Sequence, residues 1–117
     1  MNHEDRMESV MTPAGIQIVD EAGNIVYSDA ACHQMLGFEP GELIGLHASE
    51  IVFGSETQQL QFTREVLAAL HAHGRWTGEI ENRRKDGSLV RTFASIERAV
   101  IDGKTYLIGF RTPVASS

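Results

Sequence analysis

Cysteine, proline and long apolar runs are all scarce in this sequence. Its 117 residues include one cysteine and three prolines. The lone cysteine, Cys32, excludes an intramolecular disulfide. No apolar run approaches the roughly 18 residues that a membrane-spanning helix requires, and the charged residues among positions 1–10 do not fit a signal peptide. These absences favour a cytoplasmic protein.

Positive charge is also in short supply. Lys and Arg number 10 against 16 Asp and Glu, which gives a formal net charge of −6 at pH 7. The only basic run, Arg83–Lys85, directly precedes Asp86-Gly87, a dipeptide typical of solvated turns. A nucleic-acid surface needs clustered positive charge, so nucleic acid is not an expected partner. Because no apolar run is long enough to span a membrane, a membrane is not an expected partner either.

The chain does contain enough apolar material for one domain. Hydrophobic residues make up 42% of it and charged residues 22%, and a chain of this length buries roughly two-thirds of its unfolded surface. We assign the domain to residues 14–113 and a tail to 114–117. Residues 1–13 are predicted to be a leader or a flanking helix, because three apolar residues follow helical spacing. They are Met7, Val10 and Met11.

The first part of the domain alternates β-rich runs with helix signals. Two short runs, Ile16–Val19 and Ile25–Tyr27, flank a turn-rich segment and predict a hairpin. Asp29 then offers a carboxylate to the free N–H groups of a short helix over 30–36, and Gly37 supplies its left-handed exit.

The longest helix begins at Ser55, which has capping-box spacing to Gln58. The pattern predicts that it extends to His73-Gly74. Its apolar residues recur mostly at three- and four-residue steps, so we expect one face to pack on a sheet. These residues are Leu60, Phe62, Val66, Leu67 and Leu70.

After Gly74 the period changes to two, as in half-buried strands. On the first of these strands Trp76, Gly78, Ile80 and Asn82 share one face. Two Asp-Gly turns separate it from two further strands and so predict a three-stranded antiparallel meander. The predicted strands are Leu89–Val100 and Thr105–Arg111. The fold class is therefore α+β.

Four blocks, in order and at normal spacing, resemble the PAS sensor family over residues 14–112. They are Ile18–Asp20 with Gly23–Tyr27, then Asp29–Phe38, then Glu39–Gly45, and finally Gly74–Glu79 with Arg84–Gly87. Asp29 stands where the family usually has Asn. The resemblance implies a PAS fold, with a five-stranded antiparallel sheet in the order 2-1-5-4-3 and helices on one face.

PAS domains hold haem, flavin, small metabolites or nothing, so the resemblance alone leaves the cofactor unknown. Relatives that bind haem use an axial His on the long helix, and this sequence has none between Ser55 and Leu70. His71 and His73 fall at the helix end, where they complement its dipole. Haem is therefore not expected.

Flavin is the open alternative. By resemblance to the LOV photoreceptor branch, Asn82 matches an Asn that hydrogen-bonds the flavin ring edge. The photoreactive Cys, however, aligns near Ala48, a second ring-binding Asn at Thr92, and a last-strand Gln at Arg111. LOV photochemistry is not expected, whereas a redox flavin remains an alternative to Asn82 simply bonding nearby backbone groups.

A small-ligand site under the long helix is the more general prediction. Small residues on one face of the predicted strand Leu89–Val100 can leave a cavity, or they can allow a helix to pack closely. Trp76 can likewise line a pocket or pack in the core. Both alternatives stay open. The predicted ligand- or cofactor-binding residues are Phe53, Trp76, Asn82, Thr92 and Ala94.

The opposite face of the predicted sheet is also apolar, and such a face must be covered. A second copy of the chain or the N-terminal segment could cover it, and the family resemblance favours a homodimer that uses both. The residues of this outer face are Ile16, Ile18, Phe93, Tyr106, Ile108 and Phe110.

Neither catalysis nor metal binding is expected. His71 and His73 lack helical metal-ligand spacing, and Cys32 has no evident base partner. We therefore expect a sensory or signalling domain that binds a small ligand or cofactor, forms homodimers, or does both, and thereby regulates a partner or effector domain. The alternative outside this class is a ligand-free protein interaction module.

Overall fold

A computed structural model of the chain describes residues 15–114 and contains one five-stranded antiparallel sheet in the order β2-β1-β5-β4-β3. This confirms the expected PAS fold and strand order. The predicted N-terminal helix or leader at 1–13 and most of the tail lie outside the described residues, so those boundaries stay predictions. The elements are β1 Gly15–Val19, β2 Ile25–Ser28, α1 Ala30–Leu36, a 3-10 helix Ala48–Ile51, α2 Glu56–His73, β3 Arg75–Arg83, β4 Leu89–Ile101 and β5 Lys104–Pro113.

Strand β5 lies in the middle of the sheet, between β1 and β4. Its register places Arg111 opposite Gly15 on β1 and opposite Ala94 on β4. The β4–β5 hairpin closes through Asp102 and Gly103, both with positive φ (51° and 77°). Two consecutive positive φ values define the tight turn that matches the right-handed twist of paired strands.

Helix α1 packs closely on β1. Its N-cap is Asp29, whose Oδ1 accepts from the Cys32 N–H at 3.0 Å. A Cβ on Gly15 would come within 2.9 Å of the Cys32 backbone. Only glycine therefore allows this approach, which buries Cys32 completely.

Helix α2 crosses the inner face of the sheet and begins with the predicted capping box. Ser55 Oγ accepts from the Gln58 N–H at 3.2 Å, and Gln58 Oε1 accepts from the Ser55 N–H at 2.8 Å. The predicted apolar face of α2 is partly wrong, because Leu60 and Leu67 are each 52% exposed. They lie seven residues apart and so share one side of the helix. That side flanks the stripe of Val66 and Leu70, which is buried.

The buried core consists of two clusters. The first lies around α1 and contains Ile25, Cys32, Leu36, Leu43 and Ile51. The second lies between α2 and the strands β3 and β4, and contains Val66, Leu70, Trp76, Ile80 and Ala94. Members of both clusters line one cavity, which therefore lies where the two meet. Within residues 15–114, no helix is both long and apolar enough to cross a membrane.

Candidate ligand-binding cavity

The cavity has a volume of about 250 Å³ and lies between α2 and the inner face of the sheet. Strands β1, β3, β4 and β5 form its floor, and Phe62, Val66 and Leu67 of α2 form its roof. The 3-10 helix and the turn after β1 border its mouth. Most of the wall is apolar, and the buried polar side chains in it are Gln17, Asn82 and Arg111. An apolar pocket with a few converging polar groups is typical of small-molecule sites.

Asn82 is the one predicted site residue that lines this cavity. It is 1% exposed. Its Nδ2 donates to the Ile51 carbonyl at 2.8 Å, and its Oδ1 accepts from Thr92 Oγ1 at 2.7 Å. The amide thus ties the end of the 3-10 helix to β3 and β4. Asn82 thus bonds a backbone group, as in the alternative to flavin binding, and a side chain as well.

The other four predicted residues surround the cavity without lining it. Thr92 is buried and contacts the cavity-lining Asn82 through its hydroxyl group. Trp76 packs edge-on against Phe62, with ring centroids 5.3 Å apart, and its Nε1 donates to Glu65 at 3.3 Å. Phe53 is 38% exposed in the loop before α2. Ala94 is fully buried and pairs with Arg111 across β4 and β5, where its small side chain leaves room for the larger one.

Arg111 is the residue that the sequence analysis missed. It is 5% exposed, and it lines the cavity from β5. Its Nη2 donates to Gln17 Oε1 at 3.4 Å, which is long for such a bond. Among residues 15–114, its Nε and Nη1 have no hydrogen-bond partner. A buried guanidinium in this structure therefore has one weak contact for five N–H donors.

This arrangement is energetically unfavourable for residues 15–114 taken by themselves. Removing an ion from water costs several kcal/mol even after relaxation, unless an opposite charge and hydrogen bonds compensate. Burial lowers the pKa of Arg111, an effect that the nearby Cys32 side chain partly offsets. Arginine nevertheless stays protonated in proteins. Within residues 15–114, the cavity thus contains a buried positive charge whose Nε and Nη1 donors have no acceptor.

The surroundings of Arg111 are polar but carry no counter-charge within the described chain. Gln17 is 3% exposed, and its Nε2 contacts Cys32 Sγ at 3.8 Å. Ser28 lies opposite Gln17 on β2, and its buried Oγ also lacks a partner among residues 15–114. None of the ion pairs of residues 15–114 includes Arg111. Three unsatisfied polar atoms therefore lie in one corner of the inner sheet face.

The sequence did hold a signal for Arg111. With Tyr106, Ile108 and Phe110 assigned to the outer face, strand alternation places Arg111 on the inner face. Arginine is almost never fully buried without a partner. An arginine on the inward side of a central strand was therefore already an anomaly that indicated a site.

The mouth of the cavity is acidic and tightly hydrogen-bonded. Asp20 Oδ1 accepts from the N–H groups of Ala22 and Asn24, and Glu21 Oε1 accepts from the Thr105 N–H at 3.0 Å. The His47 ring contacts Ser49 Oγ through Nδ1 at 2.8 Å and the Ala22 carbonyl through Nε2 at 3.1 Å. Both ring nitrogens are therefore engaged.

The side chains around the cavity offer haem no free axial ligand and favour a ligand smaller than flavin. Of the histidines at 15–114, only His47 lines the cavity, and its nitrogens are occupied. The amide of Asn82, which would meet a flavin ring edge, is bonded on both sides. The volume also falls below the roughly 300–1,000 Å³ of pockets for drug-sized ligands. Across residues 15–114, no group of three His, Cys, Asp or Glu side chains could hold a metal ion.

Comparison with known proteins agrees with this fold. The PAS domain family model matches residues 13–111. A PAS domain from Colwellia psychrerythraea superimposes with a TM-score of 0.79 at 18% identity, covering 95% of this chain and 94% of that one. The PAS domain of an HTR-like protein from Haloarcula marismortui gives 0.72 at 19% identity, covering 95% and 97%. A fungal LOV domain photoreceptor gives 0.67 at 19%, covering 86% and 74%.

This chain belongs to the PAS domain family. It is a PAS sensory domain, and members of the family are typically sensory rather than catalytic modules. No protein of curated function matches the sequence at a significant level. The three solved structures named above are 18–19% identical to this chain, so their likeness establishes the fold alone.

Proposed function

We propose that this PAS domain senses a small organic molecule, which it binds in the cavity under α2, and that occupancy regulates a partner protein or an effector domain. The observation that carries the proposal is Arg111, a buried cavity-lining cation whose Nε and Nη1 have no partner within residues 15–114. A polar ligand would supply the missing partner, and the apolar walls would bury the rest of it.

The strands offer a direct route for the signal. Adjacent residues of a strand point to opposite faces. Arg111 and Gln17 lie on the inner face, and their neighbours Phe110 and Ile16 lie on the outer face, paired with each other across β1 and β5. A ligand that draws Arg111 into a new position therefore shifts the outer surface as well. It alters signalling only if it binds the two arrangements unequally.

A second copy of the chain is the partner that we propose for the outer face. Phe93 is 50% exposed there and Phe110 41%. Ion pairs flank this apolar centre on the β3 side, namely Arg75 with Glu97 at 2.8 Å and Arg91 with Glu81 at 3.2 Å. An apolar centre with a charged rim is typical of protein interfaces. A ligand-free interaction module would use the same surface, and in that case the cavity would be irrelevant.

Two further expectations stay predictions. The N-terminal segment contributes to the dimer through Met7, Val10 and Met11, and the protein is cytoplasmic. A redox flavin is the weaker alternative, because the Asn82 amide is already bonded to Ile51 and Thr92.

The proposal is tested by native mass spectrometry of the full chain, followed by a thermal-shift screen of small organic compounds. We expect either a retained compound or a compound that raises Tm. A Cβ on Gly109 would meet its nearest atoms at 3.8 and 3.9 Å. Gly109→Leu should therefore fill the cavity and abolish binding, whereas Gly109→Ala, the matched control, should retain it.

Two results would contradict the sensor. One is a bare chain whose Tm no compound changes. The other is binding that Gly109→Leu leaves intact, since this would place the ligand outside the cavity.

A further inference from the structure

We infer that the ligand is a small monocarboxylic acid with an apolar body, held by Arg111 and Gln17. This inference rests on the proposed ligand-binding function and adds the chemical class of the ligand. Four features of the cavity support it: the free donors of Arg111, the single charge, the apolar walls and the acidic mouth.

The first feature is the geometry of the free donors. A guanidinium presents its N–H groups in a planar fork that matches the two oxygens of a carboxylate. Nε and Nη1 of Arg111 lack partners within residues 15–114, and Nη2 gives only a 3.4 Å contact to Gln17. Either edge of the guanidinium can therefore offer two donors. Among residues 15–114, Gln17 Nε2 contacts only the weak acceptor Cys32 Sγ, so the amide can add a third donor.

The second feature is the charge. Arg111 is the only cationic side chain among the arginines and lysines at 15–114 that lines the cavity. A single positive charge in an apolar enclosure is balanced by a single negative charge, because any excess charge would be buried without compensation. A carboxylate meets this requirement, whereas a phosphate dianion does not.

The third feature is the shape and polarity of the rest of the site. Val19, Val66, Ile80, Ile96 and Leu107 line it with apolar atoms. A volume of 250 Å³ equals that of roughly eight water molecules in the liquid. A short acyl chain or a single aromatic ring fills such a space, so the acid has a small apolar body.

The fourth feature is the mouth. Val19 pairs with Leu107, four residues along β5 from Arg111, so Asp20 and Glu21 lie at the opposite end of the cavity, roughly 13 Å away at the usual rise per strand residue. Their carboxylates would face the tail of a ligand bound at Arg111. A second negative charge on that tail would be repelled, so the site selects monocarboxylates over dicarboxylates.

Three probes of equal chain length separate these features. Hexanoate carries one charge, hexanamide none and adipate two. We expect isothermal titration calorimetry on the full chain to show hexanoate binding, with hexanamide and adipate each weaker by about tenfold or more. We also expect hexanoate to shift the NMR signals of the Gln17 side-chain amide.

Arg111→Met tests the anchor, and Arg64→Met is its matched control, since Arg64 is exposed on α2 and does not line the cavity. Arg111→Met removes a buried charge that has no counter-charge among residues 15–114, so it should fold and have a higher Tm than the unliganded natural chain. It should lose hexanoate binding and retain hexanamide binding, while Arg64→Met should bind hexanoate normally.

Several outcomes would overturn the inference. Hexanamide binding as tightly as hexanoate, or hexanoate binding kept by Arg111→Met, would remove the carboxylate anchor but leave the sensor standing. Because Gly15 lies opposite Arg111, an acidic residue before it is a rival partner. Hexanoate binding that appears only after Glu4, Asp5 and Glu8 are changed to amides would favour that rival. If no probe binds, a retained compound of another class would still support the proposed function, and a bare, unresponsive chain would refute both.

Discussion

Asn82 on β3 and Thr92 on β4 are diagonal neighbours, since Thr92 pairs with Ile80 and Asn82 with Val90, and their buried side chains share a 2.7 Å hydrogen bond. The other end of the Asn82 amide donates to the Ile51 carbonyl. This pair therefore joins the meander to the 3-10 helix that borders the cavity. Both ends of the Asn82 amide are bonded, so the pair supports the cavity wall.

Breaking this pair should reduce stability. Thr92→Val leaves Asn82 Oδ1 without its donor, and an unsatisfied buried polar group costs about 1–3 kcal/mol. Asn82→Ala should have at least this effect, because the Ile51 carbonyl also loses its partner. Urea unfolding measures both changes, with the exposed Thr77→Ala as control. If both variants unfold like the natural chain while ligand binding changes, Asn82 is a ligand contact instead.

Two strand glycines should respond to alanine in opposite directions. At Gly15 a Cβ would meet the Cys32 backbone at 2.9 Å, so Gly15→Ala should destabilise the fold by about 1–3 kcal/mol through overpacking. At Gly109 the nearest atom is 3.8 Å away, so Gly109→Ala should stabilise it by about 0.4–1 kcal/mol through the unfolded state. Chemical denaturation of the pair checks this, and equal effects would mean that α1 does not pack tightly on β1.

The stability of the fold should also depend on pH through the ionisation of Glu42. The hydrogen bond from Lys85 and that from the Glu39 N–H lower the pKa of Glu42 below its ordinary value of 4.5. A carboxyl group whose pKa is lower in the folded state adds stability above its unfolded pKa and loses it as the pH falls through the folded pKa. The contribution is small because the pair is exposed. Glu42→Gln and Lys85→Met should both flatten the loss of Tm below about pH 4.5. An acid profile that neither variant changes would refute this, and Glu39→Gln is the control.

The outer face should lose its self-association when it gains charge. Phe110→Glu places a carboxylate in the centre of the apolar surface, and burying it against a second copy would be strongly unfavourable. We expect the variant to be monomeric by light scattering coupled to size exclusion, at a Tm close to that of the natural chain. Thr77→Glu, on the same face of the edge strand β3, should remain dimeric. A Phe110→Glu dimer would require another interface.

Local sequence signals sufficed for most of the fold. The caps at Asp29 and Ser55 and the two-residue alternation of β3 are short-range patterns. Within residues 15–114 the first hairpin, α1, α2 and the three-stranded meander lie close to their expected bounds. The long helix was less predictable, since Leu67 fitted the apolar spacing but lines the open cavity from the roof. Spacing indicates which residues share a helix face, whereas tertiary packing decides how much of that face is buried.

The cavity could be predicted only in part. Asn82 was found because a polar residue interrupts an inward-facing apolar row. Trp76 was placed at the site although it packs on Phe62, because aromatic size alone does not distinguish a cavity wall from a core contact. The lack of a counter-charge beside Arg111 among residues 15–114 could not be predicted from the sequence. It depends on which side chains the neighbouring strands place near the guanidinium.

The central position of β5 has a consequence for the order of folding. Before β5 pairs, β1 with β2 and β3 with β4 are separate hairpins without a shared edge. Gln17 and Arg111 are 94 residues apart in sequence, and such distant contacts form late and slowly. The corner of the inner sheet face that holds Arg111 and Gln17 therefore forms only when the last strand is in place, so a partly synthesised or C-terminally clipped chain lacks the proposed ligand site.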